Sequence, residues 1–214
     1  MITKCTIYGE RCSGTNYLEK LIESNFNVKI TWEYGWKHFF GFDDLNNSDN
    51  TLFIGITKNP YDWINSFYRE QYHLPNHFKN MDCFLNNEIY SLHDHDRNEE
   101  NIKDRSMYTK ERYKNIFDMR HSKLKFLIED MPSLVKNYIL IRNEDLLYDF
   151  ENTMNKIQKK GLLFKKNIHF PVNYLLDVKT NKPFVKNTKP EYISKEKIKE
   201  KINMTYENKL YYDL

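Results

Sequence analysis

Three short stretches of the chain carry residue types suited to holding a multiply charged anion. The first is Gly9-Glu10-Arg11-Cys12-Ser13-Gly14-Thr15, followed by Asn16. Its glycines permit a tight turn, and Ser13 and Thr15 carry hydroxyls able to bond a phosphate-like oxygen or cap a helix. Arg11 adds a fixed guanidinium fork. The second stretch is Lys58-Asn59-Pro60-Tyr61-Asp62, with Ser66 eight residues beyond Lys58. A cation leaving a strand and a hydroxyl on the next helix can grip one phosphate from two sides. The third is Gly35-Trp36-Lys37-His38-Phe39-Phe40, a cation and an imidazole set among aromatics. Each stretch also has a plain structural reading: Ser13 or Thr15 as an ordinary N-cap, Lys58 in a surface ion pair, Ser66 bonded to its own backbone, His38 in an aromatic cluster.

The surrounding residues are the kind that position such loops. Lys4–Tyr8 alternates with Thr, Ile and Tyr and predicts a strand, and Asn16–Ile22 places Tyr17, Leu18, Leu21 and Ile22 on one helical face. A strand, a glycine turn and a helix start form an anion cradle, because first-turn N–H groups and the helix dipole both face the loop. The loop is not a Walker A motif: Gly14 is followed by Thr15-Asn16, with no lysine to reach a terminal phosphate. Asn27–Trp32 predicts a second strand, and the continuous apolar run Thr51–Thr57 a central strand buried on both faces. Pro60 suits the first position of a helix over 61–70. Helical periodicity over 108–131 predicts a long helix ended by Pro132, then a strand over 137–141, a helix over 146–159 stopped by Gly161, and a charged helix opened by Ser194.

Strands alternating with helices predict an α/β fold, a mostly parallel central sheet flanked by helices, P-loop nucleotide-binding-like, with a helical and loop cap. The expectation is one domain over residues 1–214, with 72–107 and 162–190 as substrate-covering loops. All three anion-holding stretches follow strands, so they can meet off the carboxyl edge of one sheet.

The 214 residues carry a net charge of +3, 40% hydrophobic and 15% aromatic residues, which fits a globular protein and does not call for nucleic acid. Three cysteines, Cys5, Cys12 and Cys83, fit no disulfide framework or zinc spacing. With no leader and no membrane-length apolar run, a cytoplasmic location is expected. His93-Asp94-His95-Asp96 lacks metal-site spacing and reads as a solvated cap loop, so no metal is assigned. Arg120 and Lys123 read either as crevice cations facing an anionic acceptor or as solvated charges, and Glu144 and Asp145 as caps of the helix after Arg142.

Taken together, the motifs resemble those of sulfotransferases dependent on PAPS (3′-phosphoadenosine 5′-phosphosulfate). That family holds the 5′-phosphosulfate with a Ser-Gly-Thr loop, here Ser13-Gly14-Thr15. It grips the 3′-phosphate with an Arg-Asn-Pro-x-Asp segment and a serine eight residues on, here Lys58–Asp62 and Ser66. Arg142-Asn143-Glu144-Asp145-Leu146 is similar to its Arg-Tyr-Glu-Asp-Leu, and Lys37-His38 to its Lys-x-His segment. The order holds over roughly residues 4–160. The resemblance implies PAPS bound by Arg11, Cys12, Ser13, Gly14, Thr15, Asn16, Lys58 and Ser66. It implies His38 as the base toward the acceptor, Arg11 as the charge beside the leaving oxygen in place of the family lysine, and Lys37 as a further catalytic cation. Lys58 replaces an arginine, and the family's C-terminal Arg-Lys-Gly is missing, with Lys182, Lys186 and Lys189 as stand-ins. The implied reaction moves a sulfuryl group to a hydroxyl or amine of a sugar, glycan or small molecule. The alternatives are a P-loop kinase using ATP and a non-catalytic nucleotide-binding module.

Overall fold

The computed structural model describes residues 1–169, 171 and 191–212. Strands β1 (Lys4–Gly9), β2 (Lys29–Ile30), β3 (Thr51–Thr57) and β4 (Tyr138–Arg142) form one sheet in the order β2-β1-β3-β4, every pair parallel. The α/β class and parallel sheet expected from the alternation are therefore present. Every residue of β3 is buried. Its side chains alternate: Leu52, Ile54 and Ile56 join Cys5 and Ile7 under helices α1 (Thr15–Asn25) and α7 (Phe150–Gln158), while Phe53 joins Tyr8 against Phe126, Leu127 and Met131. Strand periodicity thus feeds two apolar layers, with helices on both faces.

The register puts Gly9 beside Ile56 and Thr57 beside Arg142. The exits of β1, β3 and β4 are therefore level, on one edge. β1 leads to β2 on one side, whereas β3 and β4 lie on the other, so the β1/β3 exit is a topological switch point where a crevice opens.

Several expected elements shift. Residues 27–32 give only the two-residue β2, because the chain leaves the edge at a turn closed by Gly35 N–H to Trp32 O at 3.1 Å, with Gly35 at φ 103°. The long helix begins at Ile116, not 108, where Asn115 caps α4 (Ile116–Lys125). It does not stop at Pro132. A π-helical turn, Phe126–Asp130, precedes α5 (Met131–Leu134), and Met131 N–H bonds Phe126 O. That wider turn accommodates a proline whose nitrogen has no hydrogen to give. The helix expected over 146–159 is two, α6 (Asn143–Tyr148) and α7, joined at Asp149 (φ −136°, ψ 47°). Helix α2 (Pro60–Arg69) starts with Pro60 as expected, capped by Asn59, whose side chain accepts from Tyr61 N at 3.0 Å and Asp62 N at 3.4 Å.

Over the edge lies a cap. It includes α3 (Met81–Asn86), whose Phe84 and Leu85 pack with Phe78, Ile89 and Tyr113 against Trp63 and Phe67 of α2. The C-terminal helices α8 (Lys195–Lys199) and α9 (Met204–Lys209) close the assembly. Among the described residues no helix is long and apolar enough to cross a membrane.

Arg120 is neither a crevice cation nor solvated. It is fully buried, donating to Glu10 Oε2 at 2.9 Å, to both oxygens of Glu207 at 2.5 and 2.8 Å and to the Lys58 carbonyl at 2.8 Å, with Trp63 against its face at 4.7 Å. Removing one partner of such a cluster strands the others without water. Arg120→Met is expected to lower stability by about 3–5 kcal/mol in urea unfolding, and a loss under about 1 kcal/mol would show the cluster to be dispensable.

Candidate functional site

The loop after β1 is shaped by two glycines. A side chain at Gly9 would meet the Ile56 carbonyl at 2.6 Å and Ser13 Oγ at 2.7 Å. Gly14, at φ 97°, would place one 2.2 Å from the Asn143 amide. Between them Cys12 is also left-handed, at φ 65°. The first bond of α1 runs from Leu18 N–H to Gly14 O at 3.0 Å, and its N-cap residue, Gly14, has no side chain to cap the first turn. The N–H groups at the start of this 11-residue helix therefore face the loop, the arrangement that takes anions. Ser13 is buried and its hydroxyl donates to Glu10 O at 2.7 Å, closing the turn; Thr15 is buried as well, and Asn16 is exposed.

The second stretch stands beside it. Lys58 Nζ lies 3.0 Å from Ser66 Oγ, joining strand exit and helix across the eight intervening positions. Burial holds the Lys58 ammonium below its ordinary pKa, against an upward pull from Asp62, and its charge in turn favours the Cys12 thiolate. Burial nonetheless pushes the Cys12 thiol up to about 11, so it is unreactive at neutral pH. The two loops are tied directly, since Trp63 Nε1 of α2 donates to Arg11 O at 2.9 Å. Half-buried Lys58 makes no ion pair among the described residues, whereas the buried Arg11, Lys37, Arg120 and Lys123 all do.

The third stretch wraps the end of β1. Gly9 N–H donates to Lys37 O at 2.9 Å, and His38 Nδ1 lies 2.7 Å from Gly9 O. A carbonyl only accepts, so Nδ1 carries the hydrogen and Nε2 keeps its lone pair. Nε2 makes no hydrogen bond within the described residues. Burial, joined by the charges of Arg11, Lys37 and Lys123, lowers the His38 pKa to about 3, with the Gly9 bond working the other way. Lys37 Nζ reaches Asn16 Oδ1 and, at 2.8 Å, Glu19 Oε2, so the ammonium sits at the start of α1.

Arg11 is placed otherwise than expected. Its guanidinium bonds Asp104 Oδ2 at 2.8 Å, Ser91 Oγ and Tyr72 O at 3.2 Å, and stacks 4.6 Å over Phe67. Its head is committed to the cap and not to a leaving oxygen: Asp104, buried among Arg11 and Lys123, offers a stronger partner than solvent. Lys123 donates to Asp104 Oδ1 at 2.7 Å and to His38 O at 2.9 Å, so it too is internal. Burial would raise the Asp104 carboxyl, but these two cations hold it below its ordinary pKa.

One further expectation changes at this edge. Glu144 does not cap its own helix; it accepts from Asn59 N–H at 2.9 Å and Tyr212 OH at 3.1 Å, while Asp145 pairs with Arg142. Lys182, Lys186 and Lys189 lie outside the described residues. In the cap loop Asp94 pairs with His73 at 3.0 Å. Asn143, beside Gly14, and Glu10, whose Oε1 has no partner among the described residues and whose carboxyl burial pushes up to about 7 despite Arg120, stood in the named stretches but were given no role from sequence. Their signal was position alone: each directly follows a strand end.

No protein-family profile matches this chain, and no curated protein does. Among solved structures, the chain is similar to that of mouse sulfotransferase SULT7A1 complexed with PAP, 16% identical, with a TM-score of 0.41 over 77% of this chain. The match takes in 61% of that chain, so this protein spans under two thirds of its length.

The depressed pKa of His38 gives a test with a definite sign. The ring stays neutral at every pH well above about 3, so it should show no titration between pH 5 and 8 by NMR. Because the unfolded ring binds a proton near pH 6.5 and the folded one does not, the His38 contribution to stability is full above pH 6.5 and is lost as pH falls toward about 3. A His38 midpoint between pH 6 and 7 in the folded protein would contradict this environment.

Proposed function

We propose that this protein binds PAPS along the β1/β3 edge and transfers its sulfuryl group to a hydroxyl or amine acceptor. The observation that carries the reading is Lys58: a half-buried ammonium held by Ser66, unpaired among the described residues, beside an uncapped helix start. A half-buried ammonium with no carboxylate at ion-pair distance is poorly compensated, and a phosphate at that point would complete it. The N–H groups at the start of α1 would hold the second anionic end. Two grips at one switch point suit an adenine nucleotide charged at both its 3′ and 5′ positions.

When bound, the nucleotide supplies the activated sulfuryl group. The chain's own part is positioning and charge. Lys58 and Ser66 hold the 3′-phosphate. Gly14, Thr15 and Asn16 line the cradle for the 5′ end, with Ser13 and Cys12 setting the turn beneath. Lys37, resting against Asn16, supplies positive charge beside the cradle. Arg11 acts as a positioning residue, anchoring the loop to the cap through Asp104. His38 Nε2 takes the acceptor's proton as the acceptor atom bonds sulfur. The old sulfur–oxygen bond breaks with its electron pair passing to the 5′-phosphate. Anions arriving in the cradle offset the fields of Lys37, Arg11 and Lys123 and so raise the basicity of His38 when it is required.

Incubation with labelled PAPS and a panel of glycans, phenols and alcohols tests this. His38→Ala should lower kcat by about 10²–10⁴-fold with nucleotide affinity nearly unchanged. Ser66→Ala should weaken nucleotide affinity by up to about tenfold and spare kcat. A His38→Ala protein as fast as the parent removes the imidazole from the reaction, and transfer from labelled ATP in place of PAPS overturns the assignment.

A further inference from the structure

Of the three tryptophans in the chain, Trp63 is fully buried, but Trp32 and Trp36 are 54% and 37% exposed. The exposed pair stands together, ring centroids 5.2 Å apart and planes tilted by 59°. Both follow β2, at the same sheet edge as the candidate site. Trp36 meets the His38 ring edge-on, centroids 6.4 Å apart. A polar rim is built around them: Glu19 Oε1 accepts from Trp32 Nε1 at 3.4 Å, Glu19 Oε2 accepts from Lys37, and Lys37 Nζ lies 5.2 Å from the Trp36 ring centre.

We infer that Trp32 and Trp36 form a stacking platform for a carbohydrate, and that it presents a sugar hydroxyl to His38. The second half rests on the sulfuryl-transfer reading; the platform itself does not. Two large indoles left in water beside a site are unusual for a surface with a purely structural role. With centroids 5.2 Å apart and planes tilted by 59°, the two indoles pack on one another and leave no gap to sandwich a flat ring. A puckered sugar ring can set its C–H face on the exposed face of one indole while its hydroxyls reach the Glu19 carboxylate at the rim. The openness also favours an oligosaccharide. A small phenol needs an enclosed apolar pocket to bury most of its surface, whereas an extended chain gains contact along an open shelf. The short distance from Trp36 to His38 keeps a hydroxyl of a ring set on Trp36 within reach of the imidazole.

The test follows the indole Nε1–H signals of ¹⁵N-labelled protein. The probes are cellotetraose, tri-N-acetylchitotriose, a hyaluronan tetrasaccharide and, as the flat competitor, 4-methylphenol. At least one saccharide should shift the Trp32 and Trp36 signals saturably and leave Trp63 in place. Trp36→Ala should weaken that saccharide by about tenfold or more, the loss expected for a stacking aromatic. Neither indole belongs to the main core clusters, so Trp36→Ala and Trp32→Ala should fold cooperatively and keep the same stabilisation by adenosine 3′,5′-bisphosphate. No saturable shift with any saccharide, or tighter binding of 4-methylphenol at the same signals, overturns the platform. If saccharide binds and the bisphosphate does not, the platform stands and the nucleotide reading alone falls; bisphosphate binding with no saccharide shift sinks the platform alone.

Discussion

The buried guanidinium of Arg120 is the constraint on which the edge depends. One side chain from α4 reaches the carboxylate after β1, the carbonyl after β3 and the carboxylate of α9. Those contacts fix the spacing between the two loops that would hold opposite ends of one ligand. A buried cation of this kind is rarely the cheapest way to stabilise a fold. Its value here is geometric, since an apolar side chain could fill the volume but not hold three polar groups at set distances.

A second charged cluster does the same for the cap. Asp104 takes Arg11 from the first loop and Lys123 from α4, and Lys123 goes on to the backbone of His38. The cap is thereby joined to the loop carrying the candidate base. The C-terminal segment adds a third tie: Tyr212 bonds Thr57 and Glu144, and Glu144 holds the Asn59 N–H. Against this background of paired charge, Lys58 stands out: among the described residues it makes no ion pair, and Asp62 and Glu144 act on it only from a distance.

What the sequence showed best were features decided locally. The run Thr51–Thr57 is a buried central strand, the Pro60 helix start is present with Asn59 as its cap, and Gly14 occupies a left-handed turn. Each follows from a short-range rule: continuous apolarity, a fixed φ, a missing Cβ. The shared edge was legible too, because parallel strands put their following loops on the same side. Residues decided by distant partners were not legible. Arg120 and Lys123 look solvated in a helix rich in charge, and only the fold brings Glu10, Glu207 and Asp104 to them. Arg11 fits a phosphate fork by type until Asp104, far along the chain, is found against it. Pro132 reads as a stop unless the π turn before it is known.

The central claim is that two anion grips at the β1/β3 switch point act on one molecule. Isothermal titration calorimetry with adenosine 3′,5′-bisphosphate, 5′-AMP and 3′-AMP tests it most directly. Linking two grips through one ligand predicts that the bisphosphate binds at least about a hundredfold tighter than either monophosphate. Equal affinity for the bisphosphate and 5′-AMP would mean that Lys58 and Ser66 do not hold the second phosphate, and would contradict the account.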